Sequence, residues 1–185
     1  MKIYFATGNS GKVHHAQNIL PNYEVEQLDI ETMEPSIDSI EEIALSKVEQ
    51  ATEEFDAIKN NMLIADDSGL FIEDLNGFPG PQTHYFDRKV GKERILELVN
   101  PGSKAEFRAA IALYRPEAEN KVFTGKAEGT IVKPRGNGGF GYDPLFLPEN
   151  HDKTWGEDTD YKDRNSHRNE ALEKLQNYIQ NNNQV

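Results

Sequence analysis

The glycine-rich segment Lys133–Phe146 constrains this chain most, because it holds four glycines between positions 136 and 141. Glycine loses more conformational freedom on folding than any other residue, so an ordered glycine cluster is costly. Such a turn suits backbone that approaches a ligand closely or adopts positive φ. Phe140 and Asp143 would present an aromatic face beside a carboxylate, which suits a planar heterocycle with N–H groups. The alternative is a glycine-rich hairpin whose aromatic residues belong to the core.

Composition excludes several classes of protein. The chain has 185 residues, 36% of them hydrophobic, which suits a single domain spanning residues 1–185. It contains no apolar run of about 20 residues, so we expect no membrane span. A net charge of -12 argues against binding to nucleic acid, and the absence of cysteine fits a cytoplasmic protein. Nucleoside triphosphates are not excluded, because local donors and metal ions hold them.

Hydrophobic periodicity predicts strands alternating with helices, followed by an antiparallel meander. The predicted strands are Lys2–Ala6, Tyr23–Leu28, Met62–Ala65 with its resumption at Leu70–Ile72, Phe107–Tyr114, Lys121–Glu128 and Gly129–Lys133. The predicted helices are Lys12–Leu20, Ser39–Asn60, Gly91–Val99 and Ser166–Asn181. Ser39 followed by Glu42 is typical of a capping box. This order predicts an α/β fold with a mixed sheet.

The segment Ala6-Thr-Gly-Asn-Ser-Gly-Lys12 joins a predicted strand to a predicted helix. Backbone N–H groups and the dipole at a helix N-terminus bind phosphate, and Lys12 would add a point charge. The spacing differs from that of a Walker P-loop. The alternative is an ordinary strand-to-helix turn with a surface lysine.

Two adjacent carboxylates, Asp66 and Asp67, follow an apolar strand and precede Ser68-Gly69. Neighbouring side chains on a strand point to opposite faces, so one carboxylate can bind a hard cation while the other orients lysines. Mg²⁺ prefers one or two carboxylates together with substrate phosphates. A solvated turn is the alternative, but two acids closing a buried strand are costly unless they are paired or metal-bound.

Basic residues lie before and at the start of the last predicted helix. Lys162 precedes it, Ser166 fits the N-cap position, and His167 and Arg168 follow. Positive charge in a first turn opposes the helix dipole. A functional reason is therefore favoured over simple capping, and the donors of His167 and Arg168 are expected to point into a cleft.

These segments, in this order, resemble the Ham1-like inosine triphosphate pyrophosphatases, which hydrolyse non-standard purine nucleoside triphosphates. The shared motifs are Ala6–Lys12, Ala65–Leu70, Leu75–Pro81, Pro134–Phe146 and Lys162–Ala171, so the resemblance covers nearly the whole chain. It implies an elongated mixed β-sheet with two α/β lobes flanking a central active-site cleft. It also implies a homodimer and dependence on Mg²⁺.

The resemblance further implies a role for each matching residue. The residues expected to hold the triphosphate are Thr7, Gly8, Asn9, Ser10, Gly11 and Lys12, and Lys12 would also offset charge during catalysis. Asp67 would be the general base and a metal ligand, and Ser68 would contact the substrate. The residues expected around the base are Phe140, Gly141, Tyr142 and Asp143, with Lys162, His167 and Arg168 closing over the nucleotide. A second metal ligand is expected at Glu34, with Glu31 as its rival.

Two positions depart from the family pattern. The family glutamate three residues after Lys12 is His15 here, which replaces a carboxylate that could help bind metal. His84 lies where members often carry a basic residue ahead of an aromatic one. These departures keep two alternatives open: a nucleotide pyrophosphatase with another base preference, and a nucleotide-binding protein without catalysis.

The expected reaction is attack by water on the α-phosphorus, which gives a nucleoside monophosphate and pyrophosphate. Donors from His167 and Arg168 would pair with the 6-oxo group of inosine or xanthosine. The same donors would face the 6-amino group of adenosine unfavourably, and unpaired buried donors reject a wrong ligand strongly.

Overall fold

The computed structural model describes residues 2–33, 35, 37–55, 58 and 60–182. The chain divides into two compact units. Unit 1 takes the described parts of 1–67, 109–124 and 168–185, and unit 2 takes 68–108 and 125–167.

Strands and helices alternate through the first half of the chain, and longer strands follow. The strands are β1 (Lys2–Ala6), β2 (Glu24–Leu28), β3 (Met62–Ile72), β4 (Pro79–Gly80), β5 (Lys104–Tyr114), β6 (Lys121–Ile131) and β7 (Phe146–Pro148). The helices are α1 (Ser10–Ile19), α2 (Ile40–Glu54), α3 (Thr83–Val90), α4 (Ile95–Leu98), α5 (Thr159–Asn165) and α6 (His167–Asn182).

One mixed sheet joins seven strands of the described chain, in the order β2-β1-β3-β5-β6-β7, with β4 paired to β3. β1 pairs in parallel with β2 and β3, and Ala6 lies opposite both Leu28 and Ala65. β4 pairs antiparallel with β3, as β7 does with β6. The predicted α/β fold with a mixed sheet is therefore confirmed.

Each unit has its own apolar core. The core of unit 1 includes Ile3, Phe5, Ala16, Ile64, Ile111, Leu172 and Ile179, and the core of unit 2 includes Leu70, Ile95, Phe107, Tyr142, Phe146 and Trp155. The predicted inner face of α2 is confirmed, because Ile40, Ile43, Ala44, Val48 and Ala51 are all buried. Within the described residues, no helix is both long and apolar enough to span a membrane.

The strand containing the paired carboxylates is longer than predicted. Asp66 and Asp67 were expected to close a strand, but β3 runs through them without a break to Ile72. Gly69 permits this continuation, because a Cβ at that position would lie 2.1 Å from the carbonyl oxygen of Gly80 on β4. Gly69 therefore allows β4 to pack closely against β3. As a result, Asp66 and Asp67 both lie within a continuous strand.

Two other elements, β6 and the predicted helix after Gly91, also differ from prediction at a glycine. The predicted break at Gly129 is wrong, since β6 continues through it to Ile131 and its missing side chain leaves room for β7. A Cβ there would lie 2.4 Å from the carbonyl oxygen of Leu147. The predicted helix Gly91–Val99 is also wrong: Gly91, at φ +94, ends α3, and only a 3₁₀ turn and the short α4 follow.

The remaining helices differ from prediction mainly at their ends. α2 ends at Glu54, because Phe55 adopts an extended conformation, so the predicted end at Asn60 is wrong. Its N-cap is as predicted, with Ser39 Oγ accepting from the Glu42 N–H at 3.2 Å. α5 was not predicted, although Asp158 caps it by accepting from the Tyr161 N–H at 2.9 Å.

Candidate active site

The turn between β1 and α1 in unit 1 has the form expected of a phosphate-binding turn. Asn9 caps the helix, and its side-chain oxygen accepts from the N–H groups of Gly11 at 2.9 Å and Lys12 at 3.4 Å. Because of this cap, α1 begins at Ser10, two residues before the predicted start at Lys12. Gly8, Asn9, Ser10 and Gly11 are exposed, but the N–H groups of Asn9 and Gly11 already donate to Thr7 Oγ1 and Asn9 Oδ1.

Asp66 holds two cations of unit 1 in place. Lys12 Nζ donates to Asp66 Oδ1 at 2.7 Å, and Arg168 Nε donates to Asp66 Oδ2 at 2.8 Å. Burial alone would raise the pKa of Asp66, but the charges and hydrogen bonds of Lys12 and Arg168 hold it well below its usual range. Burial lowers the pKa of Lys12, because the charge of Asp66 offsets only part of its desolvation. Asp66 is thus an ionised structural anion near neutral pH.

Asp67 points to the other side of β3, as the alternation of strand side chains predicts. Lys47 of α2 donates from Nζ to Asp67 Oδ1 at 2.8 Å, and both side chains are largely buried. A carboxylate held in this way can accept a proton from water while keeping a fixed orientation. Lys47 was not predicted as a site residue, since a lysine on a helix otherwise suggests only a solvated face.

The candidate metal ligands are only partly described. Asp67 fits the donor chemistry of a Mg²⁺ site, because it offers a buried carboxylate oxygen. Glu34 lies outside the described residues, and its rival Glu31 is exposed. Across residues 2–33, 35, 37–55, 58 and 60–182, no group of three or more His, Asp or Glu side chains is arranged to hold a metal ion.

His15 joins α1 to α6 within unit 1. His15 Nε2 lies 3.4 Å from Asn169 Oδ1, and Asn169 Nδ2 donates to Glu173 Oε1 at 2.7 Å. The carboxylate of Glu173 can only accept when ionised, so it fixes the orientation of the Asn169 amide. His15 Nε2 is consequently the donor in its contact with Asn169.

The glycine-rich segment of unit 2 forms a tight loop around the carboxylate of Asp143. Asp143 Oδ2 accepts from the Phe140 N–H at 2.7 Å and from Lys162 Nζ at 2.5 Å. Gly139, at φ +69, allows this geometry, because a Cβ there would lie 2.1 Å from the same carboxylate oxygen. The carboxylate of Asp143 therefore orders its own loop.

Phe140 presents the aromatic face expected from the sequence. Its side chain is 64% exposed, and Lys162 Nζ lies 3.7 Å from the ring centroid. The loop borders a cavity of about 310 Å³ that is also lined by Lys92, Glu93 and Leu145. Tyr142 instead lies in the core of unit 2, where burial raises the pKa of its phenol. The side chain of Tyr142 is therefore part of the core and is not exposed to a ligand.

The remaining predicted residues are distributed between the units. Unit 2 contains Ser68, which is half-buried on β3, and His167, whose ring stacks on Phe107 at a centroid distance of 5.1 Å. Ser166 is buried immediately before α6, and His84 is exposed on α3. Unit 1 groups the phosphate turn with both aspartates and Arg168, whereas unit 2 groups Phe140, Asp143 and Lys162.

The chain is similar to known proteins over nearly its whole length. The Ham1 family model matches residues 3–178. A dITP/XTP pyrophosphatase of Methanopyrus kandleri is 43% identical, with 98% of each chain covered, and one of Thermococcus kodakarensis is 38% identical, with 98% of this chain and 99% of the relative covered. The solved structure of the Staphylococcus aureus Ham1 protein superposes with a TM-score of 0.86 at 32% identity, covering 98% of this chain and 100% of that one. The chain therefore belongs to the Ham1 family.

Proposed function

We propose that the protein hydrolyses non-standard purine nucleoside triphosphates, such as those of inosine, deoxyinosine and xanthosine, to the monophosphate and pyrophosphate. The division of roles between Asp66 and Asp67 carries this proposal. Asp66 holds Lys12 and Arg168, while Asp67 is oriented separately by Lys47. The names of the relatives, dITP/XTP pyrophosphatase, support the same substrate class.

Unit 1 would bind the triphosphate and supply the reacting groups. The backbone N–H groups of Gly8 and Ser10 would donate hydrogen bonds to phosphate oxygens, and Lys12 would offset the phosphate charge. Asp67 would orient a water molecule and take its proton as the water oxygen bonds to the α-phosphorus. The bond from the α-phosphorus to its bridging oxygen then breaks, and pyrophosphate leaves.

The metal belongs to the proposal as well. Mg²⁺, when bound by Asp67 and Glu34, would polarise phosphate oxygens and neutralise charge on the departing pyrophosphate. Asp67 fits that role by its carboxylate chemistry. A single-domain organisation, a homodimer and a cytoplasmic location also remain predictions from the sequence.

Unit 2 would recognise the base. Asp143 keeps Lys162 over one face of the Phe140 ring, and the base would stack on the opposite face. His167 would donate to a 6-oxo group, and the resemblance implies the same role for Arg168. A 6-amino group would meet those donors with its own N–H groups, so adenosine triphosphate should be a poor substrate.

Product analysis tests the proposal. The purified protein is mixed with Mg²⁺ and equal concentrations of inosine, xanthosine, guanosine, adenosine and uridine triphosphates. Pyrophosphate and monophosphate should be released chiefly from the inosine and xanthosine compounds. Release of orthophosphate, equal rates on all five, or binding without turnover would each contradict it.

A further inference from the structure

Trp155 is the only tryptophan of the chain and is fully buried in unit 2. Its indole stacks on Phe107 at a centroid distance of 5.0 Å and lies at 52° to Phe146. Neither the resemblance nor the motifs assign it a role. Its position among these rings makes it the centre of an aromatic cluster in that unit.

The same indole contacts His167, a residue expected to recognise the base. The ring centroids of Trp155 and His167 are 5.7 Å apart, and their planes differ by 17°. His167 is also nearly parallel to Phe107, at 5.1 Å and 19°. Two flat aromatic surfaces therefore set the plane of the imidazole, and with it the directions of its N–H groups.

Trp155 also contacts Lys162, the cation that lies over Phe140. Lys162 Nζ is 5.4 Å from the centroid of Trp155 and 3.7 Å from that of Phe140. Cations are attracted to aromatic faces at such distances. The indole therefore touches two of the residues expected to close over the nucleotide.

A tryptophan at this position is less favourable for stability than a purely apolar residue would be. Within the part of the chain that the structure describes, its Nε1 atom is buried without a hydrogen-bond partner. An unpaired buried donor is destabilising, and phenylalanine would fill an apolar core without that penalty. The indole is larger than a phenyl ring and contacts both His167 and Lys162. These contacts explain why a tryptophan is present despite the unpaired donor.

We propose that Trp155 is a positioning residue that fixes the ring plane of His167 and the ammonium of Lys162, and thereby sets discrimination between 6-oxo and 6-amino purines. This inference rests on the proposed function. Hydrogen bonds weaken steeply as the donor angle departs from linearity, so a tilted imidazole would pair poorly with a 6-oxo oxygen. The N–H group of a tilted imidazole would also repel the N–H groups of a 6-amino group less strongly.

Substrate selectivity gives the decisive measurement. The ratio of kcat/KM for inosine triphosphate to that for adenosine triphosphate does not depend on the fraction of folded enzyme, so simple destabilisation leaves it unchanged. Trp155→Leu should lower the ratio about tenfold, the order of one aromatic pair, and Trp155→Phe should lower it less. Ile131→Ala, a deletion in the same core, should lower stability and leave the ratio at its wild-type value.

An NMR measurement on His167 tests this inference independently of the proposed function. Nuclear Overhauser effects between the ring protons of His167 and Phe107 report the orientation of the imidazole, and Trp155→Leu should change them while Ile131→Ala should not. A discriminating wild-type enzyme with an unchanged ratio in Trp155→Leu overturns the positioning role. A wild-type enzyme without turnover overturns the proposed function, and unchanged Overhauser effects between His167 and Phe107 in Trp155→Leu then overturn the inference on their own.

Discussion

Arg168 Nε donates a hydrogen bond to Asp66 Oδ2 at 2.8 Å, joining two residues that are 102 positions apart in the chain. The carboxylate of Asp66 also accepts from Lys12, so one buried anion holds a cation from α1 and a cation from α6. Both carboxylate oxygens of Asp66 therefore accept from side chains of the protein, whereas the neighbouring Asp67 pairs with Lys47. Adjacent acids of the same type therefore have different roles, which their surroundings decide.

Replacing Asp67 with asparagine should abolish turnover and leave the fold intact. The amide has the same shape but cannot take a proton from water, and general-base catalysis contributes about 10²- to 10⁴-fold. We expect kcat for inosine triphosphate to fall by about 10³-fold with an unchanged circular dichroism spectrum. Asp160→Asn, on the exposed first turn of α5, is the control and should keep its activity. Wild-type rates in Asp67→Asn would remove Asp67 as the base.

Truncating Phe140 to alanine should raise KM for every purine nucleotide. Stacking of a base on an aromatic ring is worth about 1–3 kcal/mol, so an increase of roughly tenfold or more is expected. Because the ring is 64% exposed, stability should change little. Steady-state kinetics on inosine and xanthosine triphosphates check this prediction, and an unchanged KM would mean that the ring does not touch the base.

Asp66→Asn should destabilise the protein and alter its response to acid. Breaking a buried ion pair by removing one partner costs about 3–5 kcal/mol, and urea unfolding at pH 7 would measure the loss. The folded pKa of Asp66 is below its unfolded value, so the unfolded chain binds more protons in acid. Its contribution is complete above the unfolded pKa of about 4 and is lost as pH falls toward the folded pKa.

The pH dependence separates this variant from the wild type. Between roughly pH 5 and pH 3, the free energy of unfolding should fall more steeply for the wild type than for Asp66→Asn. Parallel curves for the two proteins would show that Asp66 does not carry the acid sensitivity.

Placing a glutamate at position 15 should weaken the link between α1 and α6. A carboxylate would face Asn169 Oδ1, which is also an acceptor, because Glu173 fixes the amide. His15→Glu should therefore be less stable than His15→Gln, which keeps a donor, by about 1 kcal/mol. Chemical denaturation of the two variants in parallel makes the comparison. Equal stability would show that the contact with Asn169 contributes nothing.

Much of unit 1 could be predicted from the sequence because its signals are local. The turn Thr7–Lys12 lies between a short apolar strand and an amphipathic helix, and adjacent carboxylates on a strand must face opposite ways. The partners of those carboxylates could not be predicted. Lys47 and Arg168 reach Asp67 and Asp66 only through the fold, and no spacing in the sequence encodes such pairs.

Glycines limited the prediction of strands and helices. Gly69 and Gly129 were interpreted as turns or breaks, although each lies within a strand that another strand approaches closely. Whether a glycine serves a bend or a close approach depends on what lies beside it in space. Trp155 was missed for a similar reason, since a single aromatic residue in a sequence indicates only a core.

The uninterrupted course of β3 through both aspartates has a consequence for how this protein tolerates insertions. Side chains on a strand alternate sides, so a slip of one residue against β1, where Ala6 lies opposite Ala65, would exchange the sides of Asp66 and Asp67. Asp66 would then occupy the position of Asp67, and the apolar side chains of the strand would exchange faces as well. Strand register is thus a condition for chemistry here, and a one-residue insertion between Met62 and Ala65 should be more damaging than a longer one in an exposed turn.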